Sequence, residues 1–572
     1  MKHLLISLCL CGLGFTINTN LYGQANTREI NIKQGQTYLN FPVDESNQLR
    51  KVRIMHEGKV LDEFTLRLAD TEPDFWTFFN VAPYQGEAIT LEMEETDAQA
   101  EDVAPQGGLS KVYADANFPG QENIYQETLR PQVHFSSQRG WHNDPNGLIY
   151  YEDEYHLFYQ HNPFGWSWGN MHWGHAVSKD LLHWKELPDA LYTPTHEDMA
   201  FSGSAVLDPQ NTAGFRKNGI DPLIAVYTST GRGECLALSY DNGRTFEDYE
   251  GNPVVKHRGR DPKVFWYEPG NHWVMVLYDE SKTKELSDGE EAMIRQHVMY
   301  TSPDLKDWTY QSNISGLFEC PELFEMTVEG ESGTTKWVMY GADGKYLVGD
   351  FDGKKFTIEQ NAKNYDYGQA FYASQLYNNI PESDGRHIQI GWGRGIDLEG
   401  MPFNQCMTFP TQLSLKSTFD GYRLCPRPVT EIASLHQDEK VMENIILKGD
   451  TSFMAPVKGD LLHIVAEFEC GDSRDFGMNI NGYELVYNNL FREFKGENYP
   501  AFEGETLKVE VIVDKAIIEV FVNDGELYFV DPLNSVEAEK GIKVFANGGG
   551  DEKTILKKLE MYQLESVWSE NM

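Results

Sequence analysis

Ser178-Lys-Asp-Leu-Leu-His-Trp184 recurs as Ser302-Pro-Asp-Leu-Lys-Asp-Trp308, and Ser239-Tyr-Asp-Asn-Gly-Arg-Thr-Phe246 and Asp350-Phe-Asp-Gly-Lys-Lys-Phe356 are looser copies. Their closing aromatics stand 62, 62 and 48 residues apart. Self-similarity at such a period marks a repeat architecture, in which each unit buries its apolar face against the next. Two or three short aromatic-rich strands precede each copy, as in Gly147 to Tyr151, Tyr155 to Gln160 and His175 to Ser178. A fifth set runs through Phe371 to Tyr377, His387 to Trp392 and Met407 to Leu415. Four strands per unit and five units predict a five-bladed β-propeller over residues 125–430.

Outside the repeats the chain remains all-β. Residues 24–95 alternate polar and apolar side chains, as in Arg28-Glu-Ile-Asn-Ile32, and predict an extra N-terminal β-domain. Its apolar residues Phe75, Trp76, Phe78 and Phe79 suit a packed core. The stretch 96–124, opening in the acidic run Met93 to Asp102, reads as a linker. After residue 430 the alternating strands lengthen, and Asn523-Asp-Gly525 supplies a hairpin turn, so 431–572 is expected to form a C-terminal β-sandwich. Residues 1–23 have the basic start, apolar stretch and small-residue exit of a signal peptide, which implies a periplasmic or extracellular protein.

Composition narrows the partners. The 572 residues carry 48 Lys and Arg against 88 Asp and Glu, a formal charge of −40 with no offsetting basic block. Nucleic acid and anionic membranes are thereby disfavoured, and a neutral substrate is expected. No apolar run of the mature chain approaches the roughly 20 residues of a membrane span. Five cysteines remain after the leader, at odd number and wide spacing, which is neither a disulfide framework nor a zinc site. His161, His172, His175 and His183 match no standard metal spacing, so no metal or other cofactor is expected.

Radial repeats convert register into proximity. Asp144 opens the first unit in Trp141-His-Asn-Asp-Pro-Asn-Gly147, and Asp261 opens the third, 117 residues later, in Gly259-Arg-Asp-Pro262. Glu319 opens the fourth, 58 residues beyond Asp261, and Ser202 stands 58 residues after Asp144 in the second. Three acids and a hydroxyl should therefore converge at one mouth. A proline one or two positions after each acid (Pro145, Pro262, Pro321) is expected to hold the aiming backbone in extended geometry. Two close carboxylates in a desolvated pocket cannot ionise equally easily, which suits a division into acid and nucleophile. Glycoside hydrolysis uses that division.

At these residues the chain resembles glycoside hydrolase family 32, the fructan hydrolases and invertases, whose members join a five-bladed propeller to a β-sandwich. The resemblance spans roughly Tyr125 to Trp568. It rests on Trp141 to Gly147, Arg260-Asp-Pro262 and Glu319-Cys320, supported by Gln160-His-Asn-Pro163, Trp168 to Trp184, Phe201 to Ser204 and Val513 to Gly525. It implies that Asp144 is the nucleophile forming a covalent fructosyl intermediate, Glu319 the general acid/base, and Asp261 a stabiliser of the transition state oriented by Arg260. Asn143, Gln160, Trp168, Phe201, Ser202, Cys320 and Trp392 match positions around the sugar, a fructose-containing oligo- or polysaccharide or sucrose. Removal of terminal fructose is the expected action, with an endo-acting levanase or inulinase, or a non-catalytic fructan-binding propeller, as alternatives. Ala370 departs from the family's fifth-unit motif, where an acid is usual.

Overall fold

The computed structural model describes residues 26–95, 108–192, 195–256, 258–285, 291–500, 504–533 and 540–568. The expected signal peptide, with Cys9 and Cys11, lies outside them. Among the described residues no helix is long and apolar enough to cross a membrane.

Why the quoted repeat recurs is visible in its turns. Asp180 Oδ1 accepts the Ser178 hydroxyl (3.0 Å) and the backbone N–H groups of Leu182 and His183 (3.0 and 2.9 Å). Asp304 Oδ1 does the same for Ser302 (3.2 Å), Lys306 (3.0 Å) and Asp307 (2.9 Å). Asp241 accepts Ser239 and the Thr245 N–H, and Asp352 the N–H groups of Lys354 and Lys355. Each aspartate thus satisfies turn donors that would otherwise lack partners, at the corner between the third and fourth strands of its sheet. Those corners join His172–Ser178 to Lys185–Leu191, Gly233–Ser239 to Glu247–Asp248, Glu291–Ser302 to Thr309–Ile314, and Lys345–Phe351 to Phe356–Asn364.

The first strands of successive sheets, Gly140–Tyr151, Ala200–Leu207, Gly259–Tyr267, Glu322–Glu329 and Phe371–Leu376, line the centre. Middle strands such as His172–Ser178 and Leu223–Ser229 are buried at every position, because neighbouring sheets cover both faces. The fifth set combines Phe371–Leu376, His387–Gly393, Thr411–Thr418 and Gly421–Pro428, and its first partner in the fourth set is the parallel pair Val328 and Leu415. Phe403–Asn404 pairs in parallel with Gly140–Trp141, and Asn378 exchanges backbone bonds with Leu148 and Tyr150. These contacts tie the last set to the first and close the ring, so the protein joins a β-propeller to a β-sandwich.

The sandwich stacks two six-stranded sheets, and its strands alternate buried and accessible residues, as Thr506–Val513 does. In its Asn523-Asp-Gly525 turn, a Cβ on Gly525 would meet the Pro426 carbonyl oxygen at 1.9 Å, so only glycine lets the turn sit against the propeller's last strand. The N-terminal domain packs a sheet of Asn26–Asn31, Ala88–Glu95, Arg50–His56 and Lys59–Leu66 on a second sheet. That second sheet corrects the reading of 96–124 as linker alone: Tyr113–Asp115 pairs with Tyr38–Val43. Phe75 and Phe79 lie in this domain's core, whereas Phe78 stacks on Phe118 and under the Arg139 guanidinium, facing the propeller.

Candidate active site

The same irregularity recurs in the first strand of several sheets. Ladder register slips between His142 and Pro145, between Phe201 and Gly203, between Arg260 and Lys263, and between Tyr372 and Gln375. A bulge puts an extra residue in one strand and re-aims its side chain. Here the bulged positions carry Asp144, Ser202 and Asp261. The extended geometry expected before proline does not hold throughout: Asp261 has φ 66° and Cys320 φ 35°, and Glu319 has φ 47°. At Asp261 the bulge overrides the proline's preference, whereas Glu319 and Cys320 stand outside any strand.

The three acids are brought together by shared partners. Asp144 Oδ2 accepts the Ser202 hydroxyl at 2.8 Å, and its Oδ1 accepts Asn143 Nδ2 at 3.1 Å. Trp141 Nε1 in turn holds the Asn143 oxygen at 3.1 Å. The Cys320 thiol lies 3.6 Å from both Asp144 Oδ2 and Asp261 Oδ2, and the Cys320 N–H donates to Asp261 at 3.1 Å. Arg260 donates to Glu319 Oε1 and lies 3.8 Å from Asp261 Oδ2 and 3.9 Å from Glu280. Its guanidinium rests 4.8 Å from the centre of the Tyr278 ring.

Sequence reasoning missed Tyr372, whose hydroxyl donates to Glu319 Oε2 at 2.9 Å. It is the fifth set's contribution, completing a ring of Asp144, Ser202, Asp261 and Glu319. Counting could have found it at the start of that set, but 53 residues separate it from Glu319 instead of 58. Thr228, which accepts the Asp261 N–H at 3.0 Å, and Arg394, 4.6 Å over the Tyr372 ring, were also missed. Ala370 sits in the core, where its N–H donates to Val530 of the sandwich. That position serves the domain seam.

The expected sugar-side residues fall in three places. Trp392 stands edge-on to Trp141 and Tyr372, both at 5.9 Å, with its indole N–H on Gln405. Trp168, 53% exposed, meets Phe201 edge-on at 6.0 Å on the rim. Gln160 lies buried behind the mouth and donates to the Ala200 carbonyl. With the Asn146 amide turned so that both ends are satisfied, Asn146 links Gln160 (2.8 Å) to Ser202 (3.2 Å), and through it to Asp144.

Burial pushes the Asp144 carboxyl up from its ordinary range, against the donors Ser202, Asn143 and Cys320, while the Glu319 charge adds to the rise. Asp261 is pushed up to about 8 by burial and by its two acidic neighbours, with Arg260 opposing. One guanidinium cannot neutralise three acids, so Asp261 holds its proton well above the usual carboxylate range. Burial also pushes the Cys320 thiol far up, which makes it a weak donor and no nucleophile.

The histidines are paired elsewhere: His161 with Asp189 (2.7 Å), His172 with Asp62 (3.0 Å), His175 with His156 (3.1 Å) and His183 with Asp180 (2.7 Å). Among the described residues no group of three His, Cys, Asp or Glu could hold a metal, and the five cysteines are buried and free.

Comparison with known proteins agrees with this architecture. Residues 134–428 match the glycosyl hydrolases family 32 N-terminal domain, and 431–563 the family's C-terminal domain. A levanase of Bacillus subtilis (strain 168) is 37% identical over 504 residues, covering 78% of this chain and 72% of the relative. An extracellular exo-inulinase of Aspergillus niger is 30% identical over 535 residues, covering 78% of this chain and 96% of the relative. The crystal structure of exo-inulinase from Aspergillus awamori superposes with a TM-score of 0.67 at 26% identity, covering 78% of this chain and all of that one. A fructofuranosidase of Schwanniomyces occidentalis complexed with fructose gives 0.65 at 25%, covering 76% and 98%. Built on a ring that brings three acids to one mouth, the chain belongs to glycosyl hydrolase family 32 and is a glycoside hydrolase.

Proposed function

We propose that the protein releases fructose from β-fructans, fructo-oligosaccharides or sucrose through a covalent fructosyl-enzyme intermediate. The observation carrying this reading is the single Cys320 thiol within 3.6 Å of both Asp144 and Asp261, with Glu319 held beside them by Arg260 and Tyr372. Levanase, exo-inulinase and fructofuranosidase relatives supply the substrate class.

Asp144 attacks the anomeric carbon. Its three donors favour the ionised form that attack requires, while burial keeps the anion poorly solvated. Glu319 gives a proton to the departing oxygen and takes one from the water that frees the fructosyl group. Tyr372 and Arg260 fix its two oxygens, so the proton is delivered along one direction. Asp261 holds ring hydroxyls and strengthens that hold as positive charge develops on the sugar. Asn143, Ser202 and the Gln160–Asn146 relay orient the nucleophile, and Trp392, Trp168 and Phe201 offer apolar faces to the ring.

Action is from the chain end, and the mature protein works outside the cytoplasm, as the names of the extracellular relatives suggest. Incubation with levan, inulin and sucrose separately, with products resolved by size and anomeric configuration, tests all of this. Free fructose released with retained configuration is expected. Inverted product would remove Asp144 as nucleophile, and a ladder of oligosaccharides would make the enzyme endo-acting.

A further inference from the structure

Acids outnumber basic residues 88 to 48 in this chain, yet one guanidinium at the mouth pairs with none of them. Arg260 is committed: it donates to Glu319 and lies beside Asp261 and Glu280. Arg394 is exposed, and among the described residues its guanidinium forms no hydrogen bond or ion pair. It rests instead on aromatic rings, 4.6 Å from the centre of Tyr372 and 5.9 Å from that of Trp392. A guanidinium held by ring faces keeps its planar fork of N–H groups free to donate.

The loop that presents it is preformed. The Arg394 backbone N–H donates to the Ala370 carbonyl at 2.7 Å, and the Gly395 N–H donates to Gln405 Oε1 at 2.9 Å, the same atom that accepts the Trp392 indole N–H at 3.1 Å. Gln405 is fully buried and donates onward to Asp397 at 3.0 Å, and the Leu398 N–H closes the loop on Asn404 at 3.0 Å. With the backbone fixed and the guanidinium on two rings, little ordering is left for a ligand to impose.

Depth decides which part of a substrate meets this fork. Asp261 and Cys320 are buried, Glu319 keeps 19% of its side-chain surface exposed, and Arg394 is exposed. A sugar whose anomeric carbon reaches Asp144 therefore occupies the inner end. The rest of the molecule hangs from the oxygen that Glu319 protonates. From Glu319 the contacts run outward, through the Tyr372 hydroxyl at 2.9 Å to the guanidinium lying on the Tyr372 ring.

We infer that Arg394 binds the sugar unit on the leaving side of the cleaved bond, donating its N–H fork to that unit's hydroxyls, and so makes the enzyme prefer a saccharide leaving group over a simple alcohol. The inference rests on the fructoside reading above. Hydroxyl oxygens accept such charge-assisted bonds without bringing a negative charge that the chain's −40 would repel.

Two variants test it. Arg394→Met keeps an apolar side chain for the ring and removes every donor, and Arg394→Lys keeps the charge without the fork. For each variant and the wild type, kcat and KM are measured on sucrose, on a fructo-oligosaccharide and on methyl β-fructofuranoside, whose leaving group is methanol. Arg394→Met is expected to lower kcat/KM on the two saccharides at least about tenfold more than on the methyl fructoside, with KM carrying most of the loss and Arg394→Lys falling between. Equal losses on all three substrates would overturn the inference and make Arg394 a prop for Tyr372 and Glu319. No loss on any would overturn it as well. A wild type that hydrolyses none of the three would sink the fructoside reading and this inference with it, an outcome distinct from a working enzyme whose variants do not discriminate.

Discussion

Two acid clusters, one at the seam with the sandwich and one at the mouth, are built on contrary principles. At the seam with the sandwich, Asp514 accepts the backbone N–H groups of Gln132, Val133 and His134 and pairs with His134 Nδ1 at 2.9 Å. Glu519 takes the other ring nitrogen at 3.2 Å, the Tyr528 hydroxyl at 2.8 Å and the Phe409 N–H at 2.6 Å. Asp514 is held below its ordinary value by these partners despite burial, and His134 is raised to about 9. At the mouth, burial raises Asp144 and Asp261 instead, and the neighbouring acids add to the rise. A satisfied cluster locks two domains together. An under-satisfied one leaves hydrogen-bonding capacity for a substrate, at a cost in stability.

Removing one member from each cluster should break the parallel most sharply. Asp144→Ala or Glu319→Ala is expected to lower turnover at least about 10³-fold with the melting temperature held, read by steady-state assay and calorimetry. Asp514→Ala should do the reverse, destabilising the protein by about 3–5 kcal/mol because it strands a buried imidazolium. Retained stability there would show that the seam is not held by this pair.

Asp261→Asn sharpens the contrast through pH. A carboxyl whose folded value is about 8 keeps its proton while the unfolded chain loses it near 4, so stability declines as pH rises through that window. The variant should therefore melt a few degrees higher than wild type at pH 8, match it near pH 4, and turn over far more slowly. His134 adds a decline of its own between about pH 6.5 and 9, because its raised value stabilises only while the ring is protonated. Asp261→Asn should leave that upper decline intact.

Smaller effects are expected from the groups that aim the acids. Tyr372→Phe removes one hydrogen bond to Glu319 and should cost about tenfold in kcat/KM. Cys320→Ala should cost only a few-fold, since a thiol is a weak donor. It should also move the acid limb of kcat/KM upward, because the Asp144 anion loses a partner; a limb that stays put would assign Cys320 to packing.

Spacing alone exposed Asp144, Ser202, Asp261 and Glu319, because blade repeats translate sequence distance into position. It did not expose the bulges, which arise from pairing with neighbouring strands, or the positive φ at Asp261 and Glu319. Tyr372 escaped because the fifth set breaks the period, although Thr418 and Asp420 form the same hydroxyl-to-aspartate corner as Ser178 and Asp180. The N-terminal domain's grip on the loop 163–171 was illegible, since partners such as Thr65 and Asn170 lie 105 residues apart with no motif linking them.

The parallel pairing of Phe403–Asn404 with Gly140–Trp141 acts as a latch with consequences for how the enzyme comes into being. Asp144 is made early, yet the wall facing it arrives some 230 residues later with Tyr372. A chain interrupted before Asn404 would carry Asp144, Asp261 and Glu319 and still have no closed pocket to place them in. Competence thus depends on a late segment pairing with an early one, and a chain without that pairing would lack the ring that brings the acids together.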